Sequence, residues 1–145
     1  MGYSYTASRY RIDGIIDTDQ SVMDNLSTLC NASGCWLTYD IHAGKWSVII
    51  NKAEVSKWSF DDSNIVGAIN ISGTGLYNLY NSVKVSFPHE DLQNQKDFVQ
   101  IEIPYDQRFP NEPDNVLEID YKVVTNPLQA QLLGFIELKQ SRADK

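Results

Sequence analysis

The feature that most constrains this chain is a change of period near its C-terminal end. From Leu117 to Val123, apolar Leu117, Ile119, Tyr121 and Val123 alternate with Glu118, Asp120 and Lys122, the pattern of a strand with one charged face. The spacing then lengthens. Asn126 is a good N-cap, Pro127 fits the first helical position and Gln129 completes a capping-box-like arrangement. Leu128, Leu132, Phe135 and Ile136 form the apolar stripe of a helix reaching about Gln140. Such a stripe most often packs on its own sheet, and the expected class is α+β.

A second strand-rich stretch lies upstream, between Ile69 and Pro88. A short apolar strand of Ile65, Val66, Ile69 and Ile71 gives way to Ser72-Gly73-Thr74-Gly75, a tyrosine-containing segment and another strand. In that strand Val83, Val85 and Phe87 alternate with Ser82, Lys84 and Ser86, and Pro88 closes it because proline cannot donate to a ladder. Gly73 and Gly75 provide backbone freedom, since the third glycine and long helix of a dinucleotide site are missing. After the polar loop His89 to Asp97, Val99, Ile101 and Ile103 alternate with Gln100 and Glu102, the simple partner of the preceding strand in a hairpin. Pro104, Pro110 and Pro113 then punctuate a long loop, and loops of this length are often functional.

The N-terminal part has its own pattern. Tyr10 and Ile12 alternate with Arg9 and Arg11, and with Gly14-Ile15-Ile16 they predict a first strand ended by the Asp17–Gln20 turn. Ser21 with Asp24 forms a capping-box-like start, and Met23, Leu26, Leu29 and Cys30 recur at helical spacing up to about Ala32. Gly34 is placed for a left-handed stop. Cys35, Leu37, Tyr39 and Ile41 then share one strand face, His42-Ala43-Gly44 turns, and Trp46, Val48 and Ile50 return. Trp36 and Trp46 are expected to pair across this hairpin, with Trp46 in the core. Residues 51–64 are expected to connect two lobes, anchored by Trp58 and Phe60. The organisation expected is therefore one domain over 1–145, with two closely packed lobes (1–55 and 56–145), antiparallel strands and helices at about 21–32 and 126–140.

Charge and residue types exclude several functions. Residues 89–120 carry Glu90, Asp91, Asp97, Glu102, Asp106, Glu112, Asp114, Glu118 and Asp120 against only Lys96 and Arg108, so the net charge of −7 resides there. Nucleic-acid binding needs the opposite, a basic patch that displaces counterions from phosphates. Polar loops and a solvated strand face account for most of the acidic residues, and the sharper reading is an acidic surface that repels DNA. Cys30 and Cys35 read as free thiols, and His42 and His89 have no metal-ligand spacing to them. Asp17 and Asp19 begin like a calcium loop, but its glycine and terminal glutamate are missing, and acidic residues before a helix are favoured anyway. Asn31-Ala32-Ser33 and Asn70-Ile71-Ser72 match the glycosylation pattern, which is frequent by chance, and Met1-Gly2 carries little weight for myristoylation. No stretch has the roughly 20 apolar residues of a membrane span, and the N-terminus lacks the basic start of a secretory signal. Neither histidine has an evident partner, and the adjacent pair Asp61-Asp62 reads as a solvated bend. No catalytic residue, metal or cofactor is expected.

Several stretches, taken in order, carry a family resemblance. Ile12-Asp13-Gly14-Ile15-Ile16-Asp17-Thr18-Asp19-Gln20-Ser21, the Gly44-Lys45-Trp46 hairpin, Asn81-Ser82-Val83-Lys84-Val85-Ser86-Phe87-Pro88, Thr125-Asn126-Pro127-Leu128-Gln129-Ala130-Gln131 and Lys139-Gln140-Ser141-Arg142 resemble tail-tip and baseplate-hub proteins of tailed bacteriophages. These include the tip attachment protein of lambda-like phages. The resemblance spans most of the chain and implies an internal segment of a longer polypeptide. It further implies a virion structural component in a ring, commonly trimeric, at the distal end of the tail tube. The partners implied are other tail or baseplate proteins and further copies of the chain, with DNA only as passing cargo and synthesis in the bacterial host cytoplasm. Tyr77, Tyr80, Tyr105 and Phe109 are the interface candidates, because loop aromatics are enriched at protein contacts. The alternative is a carbohydrate- or receptor-binding module presenting tryptophans and tyrosines as a platform.

Overall fold

The computed structural model describes residues 8–61, 63–70 and 75–142. The expectations at Met1-Gly2, Asp62, and Ile71 to Thr74, the glycosylation pattern ending at Ser72 among them, lie outside the described residues. The fold is α+β, with two helices and two small sheets. In chain order the elements are α1 (Val22–Ala32), β1 (Cys35–Asp40), β2 (Lys45–Ile50), β3 (Ser82–His89), β4 (Gln95–Glu102), β5 (Val116–Asp120) and α2 (Pro127–Gln140).

Strand β3 is the centre of the molecule. It pairs antiparallel with β4 and parallel with β5, in the order β4-β3-β5, so the expected antiparallel set contains one parallel pair. Val83, Val85 and Phe87 are fully buried on one face, as the alternation requires. Pro88 lies within the strand instead of ending it: β5 pairs only with Ser82 to Ser86, so the missing N–H falls where one neighbour has already stopped. The strand over 117–123 is shorter than expected. It ends at Asp120, after which Tyr121, Val123 and Val124 turn into the core.

Helix α2 covers the apolar face of this sheet. Asn126 accepts hydrogen bonds from the backbone N–H groups of Leu128 and Gln129, and Pro127 opens the helix. The buried face is Ala130, Leu133, Gly134 and Leu138 with Gln129, not the stripe read from the sequence. Leu128 and Phe135 are exposed. The reason is close approach: Gly134 lies against the central strand, where an added Cβ would sit 2.6 Å from Val85 Cγ2 and 3.4 Å from Val83 Cγ1. A helix seated on its glycine turns Leu128, Leu132 and Phe135 outward.

Helix α1 starts as expected, with Ser21 Oγ accepting from the Asp24 N–H and donating to its carboxylate, and stops before Gly34 at φ +62°. Gln129 ties it to α2. Its side chain does not reach back to the cap; it donates to Ala32 O at 2.9 Å and accepts from Arg11 N at 2.8 Å. The predicted strand over residues 9–16 does not form. That segment makes one backbone bond to the core, Asp13 N to Val123 O, and Ile12, Ile15 and Ile16 are exposed. Asp17 carboxylate oxygens accept from Asp19 N and Gln20 Nε2, a turn and not an ion cradle.

Candidate interaction surface

Two constructions stand out, a polar clasp beneath β3 and an uncovered apolar hairpin. The clasp follows from the topology. To bring β5 parallel to β3, the chain leaving β4 must pass under the start of β3, and the connection from Ile103 to Asn115 does so around Asn81. Asn81 is buried, with 1% of its surface exposed, and its groups are all engaged. Its backbone O accepts from Ile103 N and its N–H donates to Asn115 O. Its side chain donates to Pro113 O and accepts from Asn115 N. Asn115 in turn donates to the carbonyls of Tyr77 and Leu79.

An ion pair closes the clasp. Arg142, just past α2, donates through Nη1 to Glu112 Oε1 at 2.5 Å and through Nη2 to Oε2 at 3.0 Å, and also to Tyr80 O at 3.0 Å. The Glu112 carboxylate has no exposed surface and Arg142 is 12% exposed. The bonds from Arg142, opposed by burial and assisted by the Phe109 N–H, hold Glu112 down at about 2. The guanidinium carbon lies 5.3 Å from the centre of the Phe109 ring. Nearby, Arg108 donates to Ile103 O and pairs with Asp114 at 2.6 Å. The proline-rich loop is therefore held by charged and amide bonds.

The four interface candidates belong to segments that this clasp gathers. Tyr77 and Tyr105 are exposed on short 3-10 turns, Leu76–Asn78 and Tyr105–Gln107. Tyr80 is half-buried against the core, and Phe109 is partly exposed beside Arg142. Within the acidic tract, Glu90, Asp114, Asp120 and Glu112 pair with Arg11, Arg108, Lys96 and Arg142.

The hairpin departs most from expectation. Cys35 pairs with Ile50, Leu37 with Val48, and Tyr39 with Trp46, whereas Trp36 faces Ile49. Trp36 and Trp46 are thus on opposite faces, because their cross-strand partners differ in parity. Trp46 is not core. It is 54% exposed, stacked edge-on with Tyr39 at 5.2 Å between ring centres, and every residue of β2 is exposed. The following segment does not anchor either, as Trp58 and Phe60 are exposed. Tyr39, Ile41, Trp46, Val48 and Ile50 leave on the order of 600 Å² open, the upper end of a patch on an ordinary monomer. Val55, Trp58, Phe60, Val66 and Ile69 are open as well. A second apolar surface lies elsewhere on the molecule, a shallow groove of about 290 Å³ between Ile101 and the outward α2 residues Leu128, Leu132 and Phe135.

Among the described residues no three His, Cys, Asp or Glu side chains converge, both thiols are unpaired, and no helix is long and apolar enough to cross a membrane. His89 accepts from Asp91 N in a turn, and Asp40 accepts from the N–H groups of His42 and Ala43. Compared with known proteins, the chain matches no protein-family model and no curated protein. Sequence reasoning missed the Glu112–Arg142 pair and the open hairpin. The first joins residues far apart in the chain, and the second carries the alternation of a half-buried strand although β2 is exposed along its whole length.

Proposed function

We propose that the chain is a structural, non-enzymatic subunit of a tailed-bacteriophage tail tip or baseplate hub, made in the bacterial host and resident in the virion tail. One observation carries the assembly part of this reading: the hairpin patch lies at the upper end of what a free monomer ordinarily leaves open, and Val55, Trp58, Phe60, Val66 and Ile69 after it are exposed as well. The order of stretches resembling hub proteins supplies the context.

Copies of the chain are the occupants this surface suits. The hairpin face and the Ile101–Leu128–Leu132–Phe135 groove are different surfaces on different elements, so joining one to the other is a head-to-tail contact that closes into a ring when the rotation permits. The hairpin patch approaches the roughly 800 Å² per partner of a standard interface. Other tail proteins would take the remaining aromatic positions, Tyr77 and Tyr105 among them, and DNA would pass without a dedicated site. Gold-labelled antibodies raised against the chain test its location. Labelling of tailed particles at the distal tail end is expected, and particles that carry the chain nowhere would refute the reading.

A further inference from the structure

A cleft of about 460 Å³ opens between α1, β1, the end of β5 and α2, on the hairpin side opposite Tyr39 and Trp46. Its apolar parts are the half-exposed Trp36 and the partly buried Leu117 and Ile119. Around them stand Asn31 of α1, Lys122 beyond β5 and Glu137 of α2. The side chains of these three polar residues have no hydrogen-bond or ion-pair partner among the described residues. Asp120, also at the rim, is already paired with Lys96 at 3.2 Å. Tyr121 is pushed up to about 12 by burial and by the neighbouring Glu137 charge, so it stays a neutral phenol at any working pH.

These properties select a ligand class. A wholly apolar ligand would strip water from an amide, an ammonium and a carboxylate and return no hydrogen bond to them. An anion would face Glu137 and Asp120, and a cation would face Lys122. The unpaired charges, one of each sign, leave the cleft balanced. A neutral polyhydroxylated ring satisfies all of its groups. Its hydroxyls donate to Glu137 and accept from Lys122 and Asn31, and its C–H face lies against the indole. We propose that this cleft binds a neutral saccharide, with Trp36 as the stacking wall and Asn31, Lys122 and Glu137 as the hydroxyl-binding groups. The site goes beyond the tail-tip reading and does not depend on it.

The test applies the full chain to an array that carries neutral oligosaccharides built from glucose, galactose and N-acetylglucosamine beside sialylated and sulfated glycans, followed by calorimetric titration of the strongest neutral hit. Binding is expected, about tenfold weaker or more in Trp36→Ala and in Asn31→Ala, and unchanged in Asp106→Ala, an exposed residue outside the cleft. Asn31 is exposed on α1, so its variant keeps the test open should Trp36→Ala fail to fold. Absence of binding on the array, binding confined to sialylated or sulfated glycans, or full affinity in Asn31→Ala would overturn the proposal.

Discussion

Replacing Glu112 by glutamine isolates the charge that closes the clasp. The carboxylate accepts two bonds from Arg142 and one from the Phe109 N–H, and it has no exposed surface. Leaving a buried partner uncompensated costs about 3–5 kcal/mol. Here the loss is smaller, because a glutamine oxygen keeps one guanidinium bond and Arg142 retains Tyr80 O and the Phe109 ring. A destabilisation of about 2 kcal/mol follows, the strength of one charge-assisted hydrogen bond, or roughly 6 °C in Tm for a chain of this size.

The pH dependence provides the sharper check. Glu112 ionises at about 2 in the fold against 4.5 ordinarily. Between those values the folded chain binds fewer protons than the unfolded one, so stability from this group is full above about 4.5 and declines as pH falls toward 2. Glutamine does not titrate, and the remaining carboxylates cancel in the comparison. In urea unfolding, the gap between wild type and Glu112→Gln is therefore expected to be widest at pH 7 and to narrow by pH 3. A gap below about 0.5 kcal/mol at pH 7, within the range of a neutral surface change, or one that persists undiminished at pH 3, would refute the reasoning.

Gly134→Ala sets two effects against each other. Alanine gains up to about 1 kcal/mol in helix propensity, but its Cβ meets Val85 Cγ2 at 2.6 Å in the buried centre of the sheet, and overpacking of this kind costs about 1–3 kcal/mol. Net destabilisation in thermal melts is expected; a stabilised variant would mean that α2 sits farther from β3. Asn126→Ala removes the acceptor for Leu128 N and Gln129 N, and a loss of about 1 kcal/mol in urea unfolding is expected. Gly34→Ala forces a left-handed residue at φ +62° and should cost about 1–2 kcal/mol by the same measurement; a neutral result would show that the turn relaxes.

Local rules made much of the fold legible. Ser21 with Asp24, Asn126 with Pro127, and Gly34 each act within a few residues of themselves, and both helices form where those signals stand. The alternation at Val83, Val85 and Phe87 identified the central strand for the same reason. What was not legible depends on contacts distant in sequence. Among the described residues, the alternation at Arg9 to Ile12 has no neighbouring strand to pair with, and the segment's backbone bond to the core is the one from Asp13 N to Val123 O. The α2 stripe was misassigned because a small residue, Gly134, decides which face can approach the sheet. Trp46, Trp58 and Phe60 carry core-like chemistry, yet all three are exposed. That conflict between residue type and exposure is what the proposed assembly resolves.

The association of copies tests the central claim most directly. Trp46→Asp blocks the hairpin face. Leu128→Asp blocks the groove on an exposed residue in the first turn of α2, where an acidic side chain suits the helix. In sedimentation velocity the wild-type chain should associate with rising concentration, and each variant alone should remain a monomer. An equimolar mixture should form a dimer, because it retains one intact hairpin face and one intact groove. A monomeric wild type, or a mixture that stays monomeric while the wild type associates, would contradict head-to-tail assembly through these surfaces.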